Sequence, residues 1–313
     1  MAKFDAYAYV NDNIISQLDK GIIPWKKPWS VATNDPQMVA VSHSTGRAYS
    51  LLNQMLLGLR HGEYLTYIQA QKEGGHVKKG AKASTVVFWK ILGFDELGKL
   101  IKSGDKNTKV AKTVPMLQGY SVFHIDDCEG IKPKFEKAMP KGAKIVPNAE
   151  EIVKGYTEYT GLNLERDERR GKACYSPQLD RILVPCFEQY EETSEYYSTL
   201  FHEMAHSTGH ESRLNRFDGK DSTISGFDSY SKEELVAEMT ATMLCAYCGI
   251  NNEAQTTNSI AYLQNWGEKI KQDRTLIVSA ASKAEKAFNY ILDSVEKNAA
   301  LNAPLNEEEV AVA

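Results

Sequence analysis

The sequence predicts an α+β chain in two domains, and three observations carry that prediction. Apolar runs of helical spacing are mixed with β-branched and aromatic runs in both halves. Charge is unevenly divided: residues 1–145 hold 21 Lys+Arg against 13 Asp+Glu, a net of +8, while residues 146–313 hold 16 against 28, a net of −12. Between them "IKPKFEKAMPKGAKIVPNAEE" is rich in proline and lysine, as linkers are. The 313 residues, 42% hydrophobic and 25% charged, suffice for two cores. The expected division is a first domain over 1–140, a linker over 141–149, a second domain over 150–295 and a disordered tail over 296–313.

In the first half, "YAYVNDNIISQLDKG" has apolar residues at helical spacing and a closing Gly21, so it reads as a helix. "IIPWKKPWS" forms proline-bounded turns. "YSLLNQMLLGLRHG" and "YLTYIQAQKEGG" read as two further helices, the second ended by Gly74 and Gly75. "STVVFWKILGF" and "PMLQGYSVFHIDDCEG" are strands flanking a polar, lysine-rich loop or hairpin tip. In the second half, "NAEEIVKGYTEYTG" is a helix, and "ACYSPQLDRILVP" is a hairpin turning at Pro177–Asp180. "SEYYSTLFHEMAHSTG" is a helix with Thr193 or Ser194 as N-cap and Gly209 near its end. "SKEELVAEMTATMLCAYCG" is another, capped by Ser231 with Glu234 three residues on. One long helix is expected over "AYLQNWGEKIKQDRTLIVSAASKAEKAFNYILDSV".

Five scattered cysteines, Cys128, Cys174, Cys186, Cys245 and Cys248, do not suggest a disulfide framework. No apolar run follows the N-terminal lysine as in a signal peptide, and the stretch near "LLNQMLLGL" is too short and polar to span a bilayer. A cytoplasmic protein without a membrane partner is expected.

The stretch "LFHEMAHSTGH" carries the chemistry. Residues four apart share a helix face, so His202 and His206 can bind one ion together. Glu203 is turned about 100° round the axis, where it can take the proton of a water activated by the ion. Zinc suits such a site, with manganese and cobalt as alternatives. A third histidine in the H-E-x-x-H-x-x-G-x-x-H pattern would stand at 212, where this chain has Ser212. His210 lies beyond the helix end. Glu234 and Glu238 stand one turn apart in "EELVAE" and face the same way, so either could complete the site. The motif resembles zincins with a glutamate ligand, and that resemblance makes Glu234 the third ligand and Glu238 the partner that orients a histidine. In such enzymes an edge strand before the active helix binds extended peptide, a role expected here of "DRILVP". Tyr230 and His210 are candidates for stabilising an oxyanion. Cys245 and Cys248 form a C-x-x-C better explained by core packing than by metal.

The basic first half interleaves cations with aromatics: Trp25, Lys26, Lys27 and Trp29, then Arg47 and Tyr49, then Lys78, Lys79, Lys82, Trp89 and Lys90. Cations along a backbone with ring faces under the bases are how single-stranded nucleic acid is bound. Trp25 and Trp29, beside prolines, are expected to stack on bases, whereas Phe88 within "TVVFW" is expected in the core.

"GIIPWKKPW", "TGRAYSLLN", "YLTYIQAQKEGGHVKKGAKASTVVFWK", "YSVFHIDDCEG" and "FHEMAHSTGHESRLNR" together resemble the antirestriction protein ArdC family of plasmids and other mobile elements. The resemblance runs from about residue 5 to residue 290. Leu51 departs from it, because members often carry glycine there. It implies an N-terminal single-stranded-DNA-binding domain, a zincin-like metallopeptidase domain and protection of incoming DNA from restriction. Two functions remain open: a zinc-dependent peptidase acting on an unknown protein, and a DNA-shielding protein whose metal is structural or idle.

Overall fold

Asp5 starts the first helix: its carboxylate accepts from the backbone N–H groups of Tyr7 and Ala8. The computed structural model describes residues 4–25, 39–58, 60–101, 108–135, 149–169, 171–217, 227–250 and 260–303. Helix α1 spans Ala6–Leu18 and buries Ala6, Val10, Ile14 and Leu18, which recur at every fourth position. Then come β1 (Ala40–Ser42), α2 (Leu51–Leu56), β2 (Gly62–Leu65), α3 (Tyr67–Lys72), β3 (His76–Val77), β4 (Ser84–Phe94), β5 (Lys112–His124) and β6 (Cys128–Glu129). The main sheet has the order β1-β2-β5-β4, with β1 and β2 parallel and the other pairs antiparallel. β3 and β6 form a small antiparallel pair.

Two helices are shorter than expected. α2 covers only part of "YSLLNQMLLGLRHG", starting at the Ser50 cap and giving way to a turn at Gly58 with φ 65°. Tyr64 and Leu65 are strand residues paired with His124 and Phe123. α3 starts only after Thr66, which shares a capping box with Gln69.

The β4–β5 hairpin pairs continuously from Ser84↔Val122 to Phe94↔Lys112. Its base is fixed by Asn53 of α2, whose side chain donates to the Val87 carbonyl (2.9 Å) and accepts from the Val87 N–H (2.7 Å). The outer half lacks such cover, and Phe88 and Trp89 are 45% and 52% exposed.

The remaining elements are α4 (Ala149–Thr160), β7 (Asn163–Arg166), β8 (Cys174–Ser176), β9 (Arg181–Val184), α5 (Thr193–Ser207), α6 (Phe227–Tyr247), α7 (Ile260–Gln272) and α8 (Leu276–Leu301). The second sheet has the order β7-β9-β8. The "DRILVP" strand, β9, is therefore central and not an edge. Its outer side is taken by β7, the polar "NLER", which pairs with it in parallel along four positions. The edge on the hairpin side is β8. Ile152 and Tyr156 of α4, Ile182 and Val184 of β9, Leu200, Phe201 and Met204 of α5, Leu244 of α6 and Ile291 of α8 form one core.

α5 is preceded by Glu192, which makes no side-chain cap, so neither Thr193 nor Ser194 is the N-cap. α6 begins at Phe227, four residues before the expected cap Ser231. The expected last helix is two. Asp273 accepts from the N–H and the hydroxyl of Thr275, a local alternative to helical bonding that separates α7 from α8. α8 runs to Leu301, into the expected tail, and residues 304–313 lie outside the described ones.

The described residues cluster into two units. One contains residues 4–24, 39–135 and 260–278, and the other contains Trp25, 149–250 and 279–303. α7 packs in the first unit, where Asn11 Nδ2 donates to the carbonyls of Ile270 (3.5 Å) and Arg274 (3.2 Å) and Asp5 pairs with Arg274. The second unit is thus discontinuous in sequence, interrupted between residues 259 and 278. Among the described residues no helix is long and apolar enough to cross a membrane.

Candidate metal centre

Leu200, Phe201, Met204 and Ala205 are fully buried and seat α5 in the core. That fixes the face bearing His202 and His206. Their Nε2 atoms lie 3.1 Å apart. Glu234, on α6, places Oε2 3.3 Å from His202 Nε2 and Oε1 3.3 Å from His206 Nε2. A tetrahedral ion with ligands at about 2.0–2.1 Å has ligand–ligand edges of about 3.3–3.4 Å. The two imidazoles and the carboxylate already stand at that spacing, and the set of two nitrogens and one oxygen donor suits a divalent ion. Among the described residues they are the one group of three such side chains whose ligand atoms all lie within 4.8 Å. Glu203, 9% exposed, sits beside them on α5.

The electrostatics fit a cation site. Burial alone would lower the pKa of His206, but the carboxylates of Glu233 and Glu234 outweigh it and raise it to about 9. Burial opposes the ionised form of Glu234, yet hydrogen bonds from His202 and His206 hold it well below the usual carboxylate range. A divalent ion held by these side chains would compete with protons for the same donor atoms.

The segment after α5 is folded back by two arginines. Arg213 Nε donates to the Ser207 carbonyl (2.7 Å), and its guanidinium pairs with Asp180 in the β8–β9 turn. Asp180 itself has φ 43°. Arg216 donates to the Ala205 carbonyl (2.9 Å), the Thr208 hydroxyl (2.6 Å) and both oxygens of Glu233. Cations at a helix C-terminus satisfy carbonyls that lack intrahelical donors. Gly209 leaves room there for the Phe217 ring, which would have to shift for a Cβ 2.6 Å away. Sequence spacing did not single out Arg213, Arg216 or Glu233. An arginine at each of two positions after the motif was the available signal.

Glu238, expected to orient a histidine, accepts from the indole Nε1 of Trp25 at 3.1 Å. Trp25 corrects the sequence expectation: it is fully buried, so its ring faces no base. His210 Nδ1 bonds Ser212 Oγ at 2.8 Å beyond the helix end. The side chain of Tyr230 and residues Lys26, Lys27 and Trp29 lie outside the described residues. Arg47, Lys78, Lys79, Lys82, Trp89 and Lys90 are exposed and Tyr49 is half-buried. Phe88, expected in the core, is exposed instead. Its ring lies 5.9 Å from Tyr120 and 6.1 Å from Tyr49, centroid to centroid.

Residues 149–283 match the family model of a zincin-like metallopeptidase, and residues 4–123 match that of the N-terminal domain of anti-restriction factor ArdC. The Mn(II)-bound crystal structure of the antirestriction ArdC protein from the R388 plasmid is 33% identical, with a TM-score of 0.69 over 93% of this chain and 98% of that one. The chain belongs to the antirestriction ArdC family. The metal-free crystal structure of the same ArdC protein gives a TM-score of 0.70 at 33% identity, over 94% of this chain and 99% of that one. DNA primase TraC of Escherichia coli is 30% identical over 303 residues, 92% of this chain but 20% of TraC. The uncharacterized protein y4eC of Sinorhizobium fredii (strain NBRC 101917 / NGR234) is 28% identical over 298 residues, 92% of this chain and 91% of that protein. This ArdC-family chain thus spans about a fifth of the TraC primase, and nearly all of y4eC. The zincin-like match and the donor set both suggest a divalent ion.

Proposed function

We propose that this ArdC-family chain binds single-stranded DNA through its first unit and carries a zinc-dependent peptidase centre in its second. The observation that carries the metal half is the spacing of His202 Nε2, His206 Nε2 and the Glu234 carboxylate. When bound, the divalent ion supplies Lewis acidity and lowers the pKa of a coordinated water. His202 and His206 would hold the ion through imidazole nitrogens, and Glu234 would hold it through its carboxylate. Glu203 is the general base that receives the nucleophile's proton and returns it to the leaving amine. A structural ion needs no adjacent base, so a nearly buried Glu203 favours the catalytic role over an idle site. Imidazole and carboxylate donors suit zinc, and manganese and cobalt are the competing outcomes of metal analysis. Edge strand β8, antiparallel to β9, can pair with extended peptide. The five cysteines form no disulfide with one another, which accords with a cytoplasmic location. Chelation should abolish hydrolysis of an unfolded protein substrate, and one equivalent of zinc should restore it. Hydrolysis that survives full removal of metal would refute the peptidase centre.

The DNA half is supported by the outer β4–β5 hairpin. Side chains alternate along a strand, so Phe88 and Lys90 share the face of Val86, and Tyr120, which pairs with Val86, lies on that face too. Aromatic stacking contributes about 1–3 kcal/mol per base, and each phosphate contact steepens the salt dependence. Phe88→Ala with Tyr120→Ala should weaken oligonucleotide binding about 10–100-fold at an unchanged salt slope. Replacing Lys78, Lys79 and Lys82 by alanine should flatten that slope. Wild-type affinity of the double aromatic variant in a fluorescence titration would rule out this stacking surface.

A further inference from the structure

We infer that Glu233, held by Arg216, positions His206 for the ion by accepting a hydrogen bond from its Nδ1–H. The inference rests on the reading that His206 binds metal through Nε2. A neutral imidazole that ligates through Nε2 carries its proton on Nδ1, and the partner of that proton fixes the tautomer and the ring.

His206 is 8% exposed, and its Nδ1 is buried without a hydrogen-bond partner. A buried N–H left unmet gives up its bonds to water and gains nothing in return, so this atom calls for an acceptor. The carboxylate facing it is Glu233, with Oε1 at 3.6 Å. That is a few tenths of an ångström beyond a hydrogen bond, within reach of a small turn of the ring. Two consecutive glutamates therefore face the two nitrogens of one ring: Glu233 Oε1 toward Nδ1, and Glu234 Oε1 toward Nε2 at 3.3 Å.

Arg216 sets their division of labour. Its Nη2 lies 2.5 Å from Glu233 Oε1 and its Nε 3.1 Å from Oε2, so the guanidinium fork holds both oxygens. The same guanidinium donates to the carbonyl of Ala205, the residue before His206, and to Thr208 Oγ1. One side chain thus ties the end of α5 to Glu233 of α6. It offsets the charge of Glu233 and keeps that carboxylate on the Nδ1 side of the ring. Glu234, which no arginine clamps among the described residues, is left to the ion. A lysine cannot reproduce a planar two-pronged grip.

The test uses the full chain. Zinc affinity is measured by competition with a chromogenic chelator for wild type, Glu233→Gln and Arg216→Lys. Both variants should bind about 10–100-fold more weakly. Glu233→Gln is isosteric and should keep the wild-type circular dichroism spectrum. In the zinc-loaded wild type, nitrogen-15 NMR should show His206 as one tautomer with a slowly exchanging, hydrogen-bonded Nδ1 proton. In Glu233→Gln that proton should exchange faster. Zinc binding by Glu233→Gln within about twofold of wild type, or unchanged proton exchange, would overturn the inference. A wild type that takes up no zinc would sink the metal reading itself, and this role with it.

Discussion

Glu203→Gln should keep the metal while hydrolysis falls about 10²–10⁴-fold, the usual contribution of a general base. His202→Ala and His206→Ala should lose the metal. The contrast follows from position. His202 and His206 face Glu234 at ligand spacing, whereas Glu203 points from the next position on α5. Amidation of Glu203 removes a proton acceptor but none of the three donors. Loss of either histidine leaves two donors, too few to hold the ion against solvent. His206→Ala also leaves Glu233 and Glu234 without the imidazole they share. Metal content by mass spectrometry and initial rates on an unfolded protein substrate check both. A stoichiometric ion in the double histidine variant would contradict the assignment.

Trp25→Ala should destabilise the folded chain by about 3–5 kcal/mol, the range for removing a buried large aromatic. Trp25 is fully enclosed and its indole N–H bonds Glu238, so truncation opens a cavity and removes that hydrogen bond. Chemical denaturation measures the loss. The folded variant should keep its affinity for single strands, unlike Phe88→Ala. Wild-type stability together with weakened DNA binding would return Trp25 to the stacking surface that its sequence neighbourhood suggests.

The contrast between Trp25 and Phe88 shows what was legible in the sequence. Prolines beside Trp25 pointed to an exposed turn, but its hydrogen-bond partner lies 213 residues away and no local pattern announces it. Phe88 sits in an apolar run that reads as core, yet the hairpin extends past the layer that would cover it. The polar β7 carries no periodic signal, so nothing in the sequence marks β9 as a central strand. The metal centre was legible because two donors are local, at i and i+4 on one helix, and because α6 offers carboxylates. Which of those carboxylates faces which imidazole nitrogen depends on the phase of α6 against α5, and that is set only by packing. Local spacing marks Glu234 and Glu238 as one face but says nothing of Glu233 and Arg216.

X-ray absorption on the zinc-loaded full chain tests the central claim most directly. The account predicts two imidazole nitrogens and carboxylate or solvent oxygen at about 2.0–2.2 Å, with no sulfur shell. A zinc–sulfur shell at about 2.3 Å would instead place the ion on cysteine thiolates and contradict it.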